Sequence, residues 1–295
     1  MTGPEGDTYR ERLDGKTAIV TGGGGTIGTA TAVRFAREGA NVVLAQRSRE
    51  PAQRVVDRIE SLGGRARFVQ TDLGDEAEIA ALVEATVEAF GGVEIVVNNA
   101  ARHGFAPASE MSREDWETTL AVNLTAPFRL AQRAHEHMEE YGRVINVGAI
   151  QSRSPLSGAV AYASAKAGLD GLSRSLAAEW GEKSGDLTAN TVMVGPIYQD
   201  ADPAAHPDLP VEEAVEQVPP EVDEAAATLV GRWGRASDAA NLLAFLASPE
   251  ASFITGAVIP CDGGRLVSRK SEPVDQESAA QEDDADAAGE IDAGE

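Results

Sequence analysis

The chain has 295 residues, and 42 % of them are hydrophobic, which is enough to bury the core of one large α/β domain or two small ones. It carries 25 Lys and Arg against 48 Asp and Glu, a formal net charge of −23, so we expect neither a nucleic-acid partner nor a membrane-surface partner. The single cysteine, Cys261, excludes an intrachain disulfide and a cysteine-rich metal site, and we predict no metal. No apolar run is long enough to span a membrane and no signal peptide precedes Leu13, so we expect a cytoplasmic protein.

The acidic character does not come from one segment alone. Residues 271–295 hold ten acidic and no basic residues, which leaves a net charge of about −13 on the rest of the chain. Lysine is rare, with four copies against 21 arginines. Because concentrated salt screens the self-repulsion of such a surface, we predict a halophilic host; an ordinary acidic cytoplasmic protein is the alternative.

Short β-branched runs alternate with helical stretches over residues 13–270, between segments 1–12 and 271–295 that are predicted to be disordered. The predicted strands are 17–20, 41–45, 67–70, 94–97, 143–147, 188–194 and 257–260. The predicted helices are 27–38, 51–61, 76–90, 126–139, 161–180 and 237–246. This alternation predicts an α/β fold, a single doubly wound Rossmann-type domain with a parallel sheet and a ligand at the carboxyl ends of its strands.

One segment interrupts the alternation. Between Pro196 and Thr228 the chain is rich in prolines and acidic residues. Because a proline-interrupted insertion in a compact domain is often functional, we predict a lid over the site, with an acidic surface loop as the alternative.

A glycine-rich turn, Thr-Gly-Gly-Gly-Gly-Thr-Ile-Gly over residues 21–28, joins the first predicted strand to the first helix. Its glycines allow a sharp turn and a close approach to a phosphate, and Gly28 allows close packing of helix on strand. The helix N-terminus offers N–H groups and a partial positive charge to a pyrophosphate. The turn therefore predicts a dinucleotide site, against the alternative of a plain glycine linker.

The end of the second strand indicates which dinucleotide is bound. An acidic residue there would bind the adenosine ribose and repel a 2′-phosphate, but this chain has Gln46, followed by Arg47 and Arg49. Two cations at that point favour NADP(H), with NAD(H) possible. Surface arginines at the start of a helix are the alternative reading.

Further motifs follow in order along the chain. They are Asp72-Leu73, Asn-Asn-Ala-Ala over residues 98–101, Asn123, Tyr162-x-x-x-Lys166, Gly195-Pro196-Ile197, Ile-Thr-Gly over 254–256 and Asp-Gly-Gly over 262–264. With the glycine turn, they make residues 13–265 resemble the short-chain dehydrogenase/reductase family.

That resemblance implies roles for individual residues in cofactor binding. Asp72 would hold the adenine amino group, with Leu73 beside it; Asn99 and Ala100 would pass along the adenosine ribose; Gly195 and Ile197 would meet the nicotinamide amide. The remaining implied cofactor contacts are Gly22, Gly24, Gly25, Ile27, Gly28, Arg47, Tyr162 and Lys166. A helix cap at Asp72 and a strand-end turn at Asn98 and Asn99 are the alternatives.

Tyr162 and Lys166 are four residues apart on a predicted helix, so they share one face, whether toward a site or toward solvent. A phenol that exchanges a proton near neutrality needs its pKa to fall by roughly three units from about 10, and an ammonium and an oxidised nicotinamide could supply that. The resemblance also implies that Lys166 binds the nicotinamide ribose and that Asn123 holds a water for proton relay. Asn123 could instead only satisfy backbone groups.

The sequence departs from the family pattern thirteen residues before Tyr162, where a catalytic serine is usual and Ala149 stands. Another donor could replace the hydroxyl, the substrate could need less polarisation, or most catalysis could be lost; losing one such donor costs on the order of 10²–10³ in rate. Gln151 and His103 are the candidate substrate contacts, and His103 could equally be a surface-loop residue.

These observations predict an oxidoreductase that interconverts a secondary alcohol and a carbonyl with NADP(H) or NAD(H). The alternative is a nucleotide-binding protein with little turnover. The partner is therefore a small-molecule alcohol or carbonyl compound. The resemblance further implies a homodimer or homotetramer built on the helices 126–139 and 161–180.

Overall fold

A computed structural model describes residues 11–138, 140–181, 186–198, 210–214 and 228–267. Seven strands form one parallel sheet in the order β3-β2-β1-β4-β5-β6-β7. They are β1 (Thr17–Thr21), β2 (Asn41–Gln46), β3 (Arg65–Gln70), β4 (Ile95–Asn98), β5 (Tyr141–Ala149), β6 (Asp186–Val194) and β7 (Val258–Cys261). The predicted Rossmann-type α/β architecture is confirmed, and its strand order reverses between β1 and β4.

Helices cover both faces of the sheet. They are α1 (Thr26–Arg37), α2 (Arg49–Ser61), α3 (Glu76–Phe90), α4 (Arg113–Leu120), α5 (Ala126–His135), α6 (Val160–Trp180), α7 (Val211–Ala214) and α8 (Ala236–Ala247). Neighbouring residues of a strand alternate between the faces: Val20 packs in the core with α1, α2 and α8, whereas Ile19 packs with α3, α5 and α6. No described helix is both long and apolar enough to cross a membrane.

The structure adds two helices, α4 and α7, that the sequence did not predict. Helix α4 is capped by Ser112, whose hydroxyl accepts a hydrogen bond from the Asp115 N–H (3.0 Å), and it continues through a π-helical turn, Ala121–Thr125, into α5. Helix α5 ends at His135, four residues before its predicted end.

The short helix α7 lies within the predicted lid segment. Its Glu212 is nearly buried and accepts hydrogen bonds from Arg58 on α2 (2.7 Å) and Arg37 on α1 (2.8 Å). This part of the segment therefore packs on α1 and α2. Residues 199–209 and 215–227 lie outside the described residues, as do residues 1–10 and 268–295, which contain most of the segments 1–12 and 271–295 that are predicted to be disordered. Arg12, at the end of the first segment, is described and forms an ion pair with Glu38 (2.7 Å).

Candidate functional site

A cavity of about 440 Å³ opens at the carboxyl ends of β1, β2, β4, β5 and β6, beside the reversal in strand order. Parallel sheets of this topology bind ligands at that point. The lining residues are Gly22, Gly24, Gly25, Thr26, Ile27, Gln46, Arg47, Ser48, Pro51, Asn99, Ala100, Ala101, His103, Val147, Gly148, Tyr162, Lys166 and Val194. Within this described wall there are two cations, Arg47 and Lys166, and no acidic side chain, although the chain as a whole carries a charge of −23.

The glycine turn forms one side of the cavity. Gly22 has a φ of +63°, a conformation that favours glycine, and a Cβ there would lie 3.1 Å from the Ala100 Cα. At Gly28 a Cβ would lie 2.1 Å from the Gly22 carbonyl oxygen, so only glycine lets α1 pack this closely on the turn. Gly25 caps α1 without a side-chain hydrogen bond, and the first turn of α1 contains no acidic residue. The helix N-terminus therefore suits an anion.

Asn99 holds the glycine turn in place. Its Nδ2 donates to the carbonyl oxygens of Thr21 (2.9 Å) and Gly22 (3.2 Å), and the Thr21 hydroxyl accepts from the N–H groups of Asn99 and Ala100. Asn99 and Ala100 line the cavity, as predicted for residues along a ribose. The same hydrogen bonds also fit the alternative interpretation, in which Asn98 and Asn99 form a turn at the end of β4.

The end of β2 closes the other end of the cavity. Gln46 accepts from the Gly24 N–H (2.7 Å) and donates to the Ser48 carbonyl (2.7 Å), so its amide ties β2 to the glycine turn. Arg47 is exposed and forms no ion pair with any described residue, whereas the Arg49 guanidinium lies over the Phe68 ring, 4.9 Å from its centroid. Arg47 is thus the arginine available to a phosphate.

Tyr162 and Lys166 meet at the far end of the cavity, on the inner face of α6. Both are buried, and the Lys166 ammonium donates to the Val147 carbonyl (2.7 Å) and lies 5.6 Å from the Tyr162 ring centroid. Burial lowers the pKa of Lys166 to about 8 and raises the pKa of Tyr162 to about 12. Desolvation of the phenolate is the cause of the raised Tyr162 pKa in the chain alone. The fall in pKa expected from the ammonium together with an oxidised nicotinamide stays a prediction.

His103 and Phe105 form an aromatic wall next to Tyr162. The His103 ring lies edge-on to Tyr162, with centroids 4.9 Å apart, and stacks on Phe105 at 5.7 Å. The structure thus places His103 at the site; Phe105 was not predicted, because only its sequence proximity to His103 hints at it.

Asn123 lies in the π-helical turn between α4 and α5. Its Nδ2 donates to the carbonyl oxygens of Arg102 (2.8 Å) and Thr119 (2.9 Å), and its Oδ1 accepts from the Arg102 N–H at 3.3 Å. Asn123 is buried behind the cavity wall and holds the loop that carries His103. Oδ1 is the Asn123 atom that could also accept a hydrogen bond from the water predicted for proton relay.

Ala149 ends β5, buried and paired in register with Val194. Among the described residues that line the cavity, neither Ala149 nor Gln151 is found. Gln151 lies half-buried in the short helical turn Ile150–Ser152, and the Ser152 hydroxyl contacts the Met193 sulfur (3.9 Å).

The other predicted cofactor contacts also lie outside this wall. The Asp72 carboxylate accepts from the Gly74 N–H (2.8 Å) in a turn before α3, and Leu73 packs against the core under α3. Gly195 is pressed against Asp262, since a Cβ on it would lie 2.5 Å from the Asp262 Cα. Ile197 lines a second cavity of about 400 Å³, next to the segment of which residues 199–209 are not described.

The residues present fit a dinucleotide. A helix N-terminus with glycine at its N-cap and a close glycine turn suit a pyrophosphate. The wall extends from Arg47, which has no ion-pair partner among the described residues, to the buried Tyr–Lys pair. Within the described part of the chain, no group of three or more His, Cys, Asp or Glu residues is arranged to hold a metal ion.

Comparison with known proteins shows similarity over the same region. Residues 24–265 match the family model described as enoyl-(acyl carrier protein) reductase. The (2S)-[(R)-hydroxy(phenyl)methyl]succinyl-CoA dehydrogenase subunit BbsD of Thauera aromatica is 34 % identical over 260 residues, which cover 86 % of this chain and 97 % of that protein.

Two solved structures are similar in fold and sequence. A short chain dehydrogenase from Burkholderia cenocepacia in complex with NADP is 36 % identical, with a TM-score of 0.76 over 87 % of this chain and 100 % of that one. A blue fluorescent protein from a metagenomic library in complex with NADPH is 35 % identical, with a TM-score of 0.76 over 86 % of this chain and 99 % of that one.

Proposed function

The chain belongs to the short-chain dehydrogenase/reductase family of NAD(P)-dependent oxidoreductases, which act on small molecules, and from this we propose that it interconverts a secondary alcohol and a ketone with a preference for NADP(H). The observation that carries the proposal is the wall of the main cavity. It combines a glycine turn, an exposed arginine and a buried Tyr–Lys pair, without an acidic side chain among its described residues.

Arg47 supports the choice of NADP(H). Its guanidinium has no described ion-pair partner to give up, and the neutral Gln46 stands where a carboxylate would repel a 2′-phosphate. The two homologous structures with bound cofactor carry NADPH and NADP.

The chemistry is divided between cofactor and protein. When bound, a reduced nicotinamide supplies two electrons and a hydrogen to the carbonyl carbon. Tyr162 gives its phenolic proton to the carbonyl oxygen, and its high pKa keeps that proton in place across the neutral range. Lys166, fixed by the Val147 carbonyl, holds a charge beside the phenol, which favours the phenolate that remains after the transfer.

A second candidate function follows from Ala149. If no other group replaces the serine hydroxyl, the chain would bind NADPH and turn over slowly, as a sensor or an oligomer partner.

Turnover measurements on matched variants distinguish the two candidates. NADPH oxidation is followed with a panel of ketones, hydroxyacids, sugars and ketoesters for the parent, Tyr162→Phe and Ala149→Ser. Oxidoreductase function predicts turnover by the parent and its loss in Tyr162→Phe. Binding of NADPH without turnover, with activity gained only in Ala149→Ser, would favour the second candidate.

For assembly, we propose a homodimer or homotetramer that uses α5 and α6. The outer face of α6 includes the exposed Ala167 and the half-buried Gly171, and a Cβ added to Gly171 would meet no atom of the described residues within 4 Å, so another helix could approach closely there. Light scattering after size exclusion tests this, and a monomer at micromolar concentration would refute it.

A further inference from the structure

The loop that carries His103 is anchored on both sides of that residue. Before it, the Asn123 amide clamps the backbone of Arg102, accepting from its N–H (3.3 Å) and donating to its carbonyl (2.8 Å). After it, Gly104 lies so close to Thr119 that a Cβ would be 2.3 Å from the threonine Oγ1. The position of His103 is therefore fixed by the fold around α4.

A third anchor holds the loop beyond Phe105. The Ala106 N–H donates to the Gly158 carbonyl (2.9 Å), and Ala106 forms a parallel bridge with Ala159, the residue before α6. Because Tyr162 is on the first turn of the same helix, this bridge sets the loop and the phenol relative to each other. The backbones that carry His103 and Tyr162 are therefore held next to each other, and their rings are in contact.

The imidazole of His103 favours its neutral form. The side chain remains partly exposed, but partial desolvation, and then the positive charge of Lys166, lower its pKa below the ordinary value of 6.5. A neutral imidazole has one N–H donor and one acceptor nitrogen, so at neutral pH it can donate a hydrogen bond without bringing a second cation next to Lys166.

We propose that His103 donates a hydrogen bond to the substrate carbonyl oxygen, which Tyr162 protonates, and thereby replaces the serine hydroxyl that Ala149 lacks. This rests on the proposed function. In ketone reduction the carbon–oxygen π bond breaks as the carbon accepts a hydrogen with two electrons from the reduced nicotinamide. The oxygen takes the Tyr162 proton, and His103 keeps its own proton and only stabilises the negative charge that develops on the oxygen.

The polar residues near Ala149 in sequence suit this role less well. Neither Gln151 nor Ser152 is among the described residues that line the cavity, and the Ser152 hydroxyl contacts the Met193 sulfur (3.9 Å). His103, in contrast, lines the cavity and touches the Tyr162 ring.

The first test compares four chains: the parent, His103→Phe, Ala149→Ser and the double variant. Phenylalanine keeps the stack on Phe105 but removes the donor, so kcat for ketone reduction should fall by roughly 100-fold with little change in KM. Adding Ala149→Ser to His103→Phe should raise kcat at least tenfold, whereas adding it to the parent, in which His103 already supplies the donor, should raise kcat less than threefold. An equal gain in both backgrounds would show that His103 and the serine do not replace each other. Thermal melting of each variant controls for folding.

The second test does not depend on turnover. The ketone reduced fastest among acetophenone, cyclohexanone and ethyl acetoacetate is labelled with ¹³C at its carbonyl and bound with oxidised cofactor to Tyr162→Phe. Its infrared carbonyl stretch should lie below the frequency of the ketone in water-free solvent, and the shift should disappear in the Tyr162→Phe, His103→Phe double variant.

The outcomes separate this inference from the function on which it rests. A parent that reduces the panel, with a His103→Phe kcat within threefold of it or an unchanged carbonyl frequency, would overturn the role of His103 and leave the oxidoreductase intact. A parent that reduces none of the panel would overturn the proposed function first, and the role of His103 with it.

Discussion

Replacing Arg47 by alanine would remove the exposed cation at the end of the cavity next to β2. The guanidinium is exposed and has no described ion pair to break, so its hydrogen bonds to a 2′-phosphate would be net gains. Charge-assisted hydrogen bonds contribute about 1.5–3 kcal/mol, and solvent exposure places this one at the lower end. We expect the Kd for NADPH to rise by roughly tenfold and the Kd for NADH, which lacks that phosphate, to stay within about twofold.

Arg49 provides the matched control, because its guanidinium lies over Phe68. Arg49→Ala should change the Kd for NADPH by less than about threefold. Both dissociation constants are measured by titrating the fluorescence of the reduced nicotinamide at one fixed, low ionic strength, since salt screens exposed charges. Equal weakening of NADPH and NADH by Arg47→Ala, or an equal effect of Arg49→Ala, would show that Arg47 does not bind the 2′-phosphate.

Three further predictions concern stability and binding. Lys166 has a pKa of about 8 in the folded chain and 10.5 in the unfolded one, so the unfolded state binds more protons between these pH values. From pH 8 to pH 10 the unfolding free energy of the parent should therefore rise by about 2 kcal/mol more than that of Lys166→Met. Parallel pH profiles of the two chains would contradict this. Gly28→Ala should abolish NADPH binding in calorimetry, because the added Cβ would overlap the Gly22 carbonyl oxygen. Gly171→Ala on α6 should bind NADPH normally. Normal binding by both variants would contradict the role of the glycine turn in cofactor binding. A halophilic origin predicts a Tm that rises from dilute buffer to molar salt, and equal values would refute it.

The sheet could be predicted because its strands are short, apolar and buried on both faces, so each stands out between helices. All seven appeared within two residues of their predicted starts and ends. Helix α4 was missed because its two large apolar residues, Trp116 and Leu120, are four apart but too few to establish a helical period in a short polar segment. Ser112, followed three residues later by Asp115, was the local signal available.

The site was predictable where its signals are local. The glycine turn and the Tyr162–Lys166 spacing each lie within one element, and the structure brings both to one cavity. The contact of His103 with Tyr162 joins residues far apart in sequence, through a loop held by Asn123, and no spacing rule predicts that. The direction in which the Tyr162 pKa shifts also depends on the burial of the side chain, which only the packed structure shows.

A crystal structure of the chain with bound NADP would show whether Tyr162 and Lys166 meet the nicotinamide of a bound dinucleotide. We expect the nicotinamide ring against Tyr162 and Lys166, the pyrophosphate at the N-terminus of α1 and the 2′-phosphate on Arg47. A dinucleotide bound with its nicotinamide away from Tyr162, or a glycine turn that holds no phosphate, would contradict this expectation.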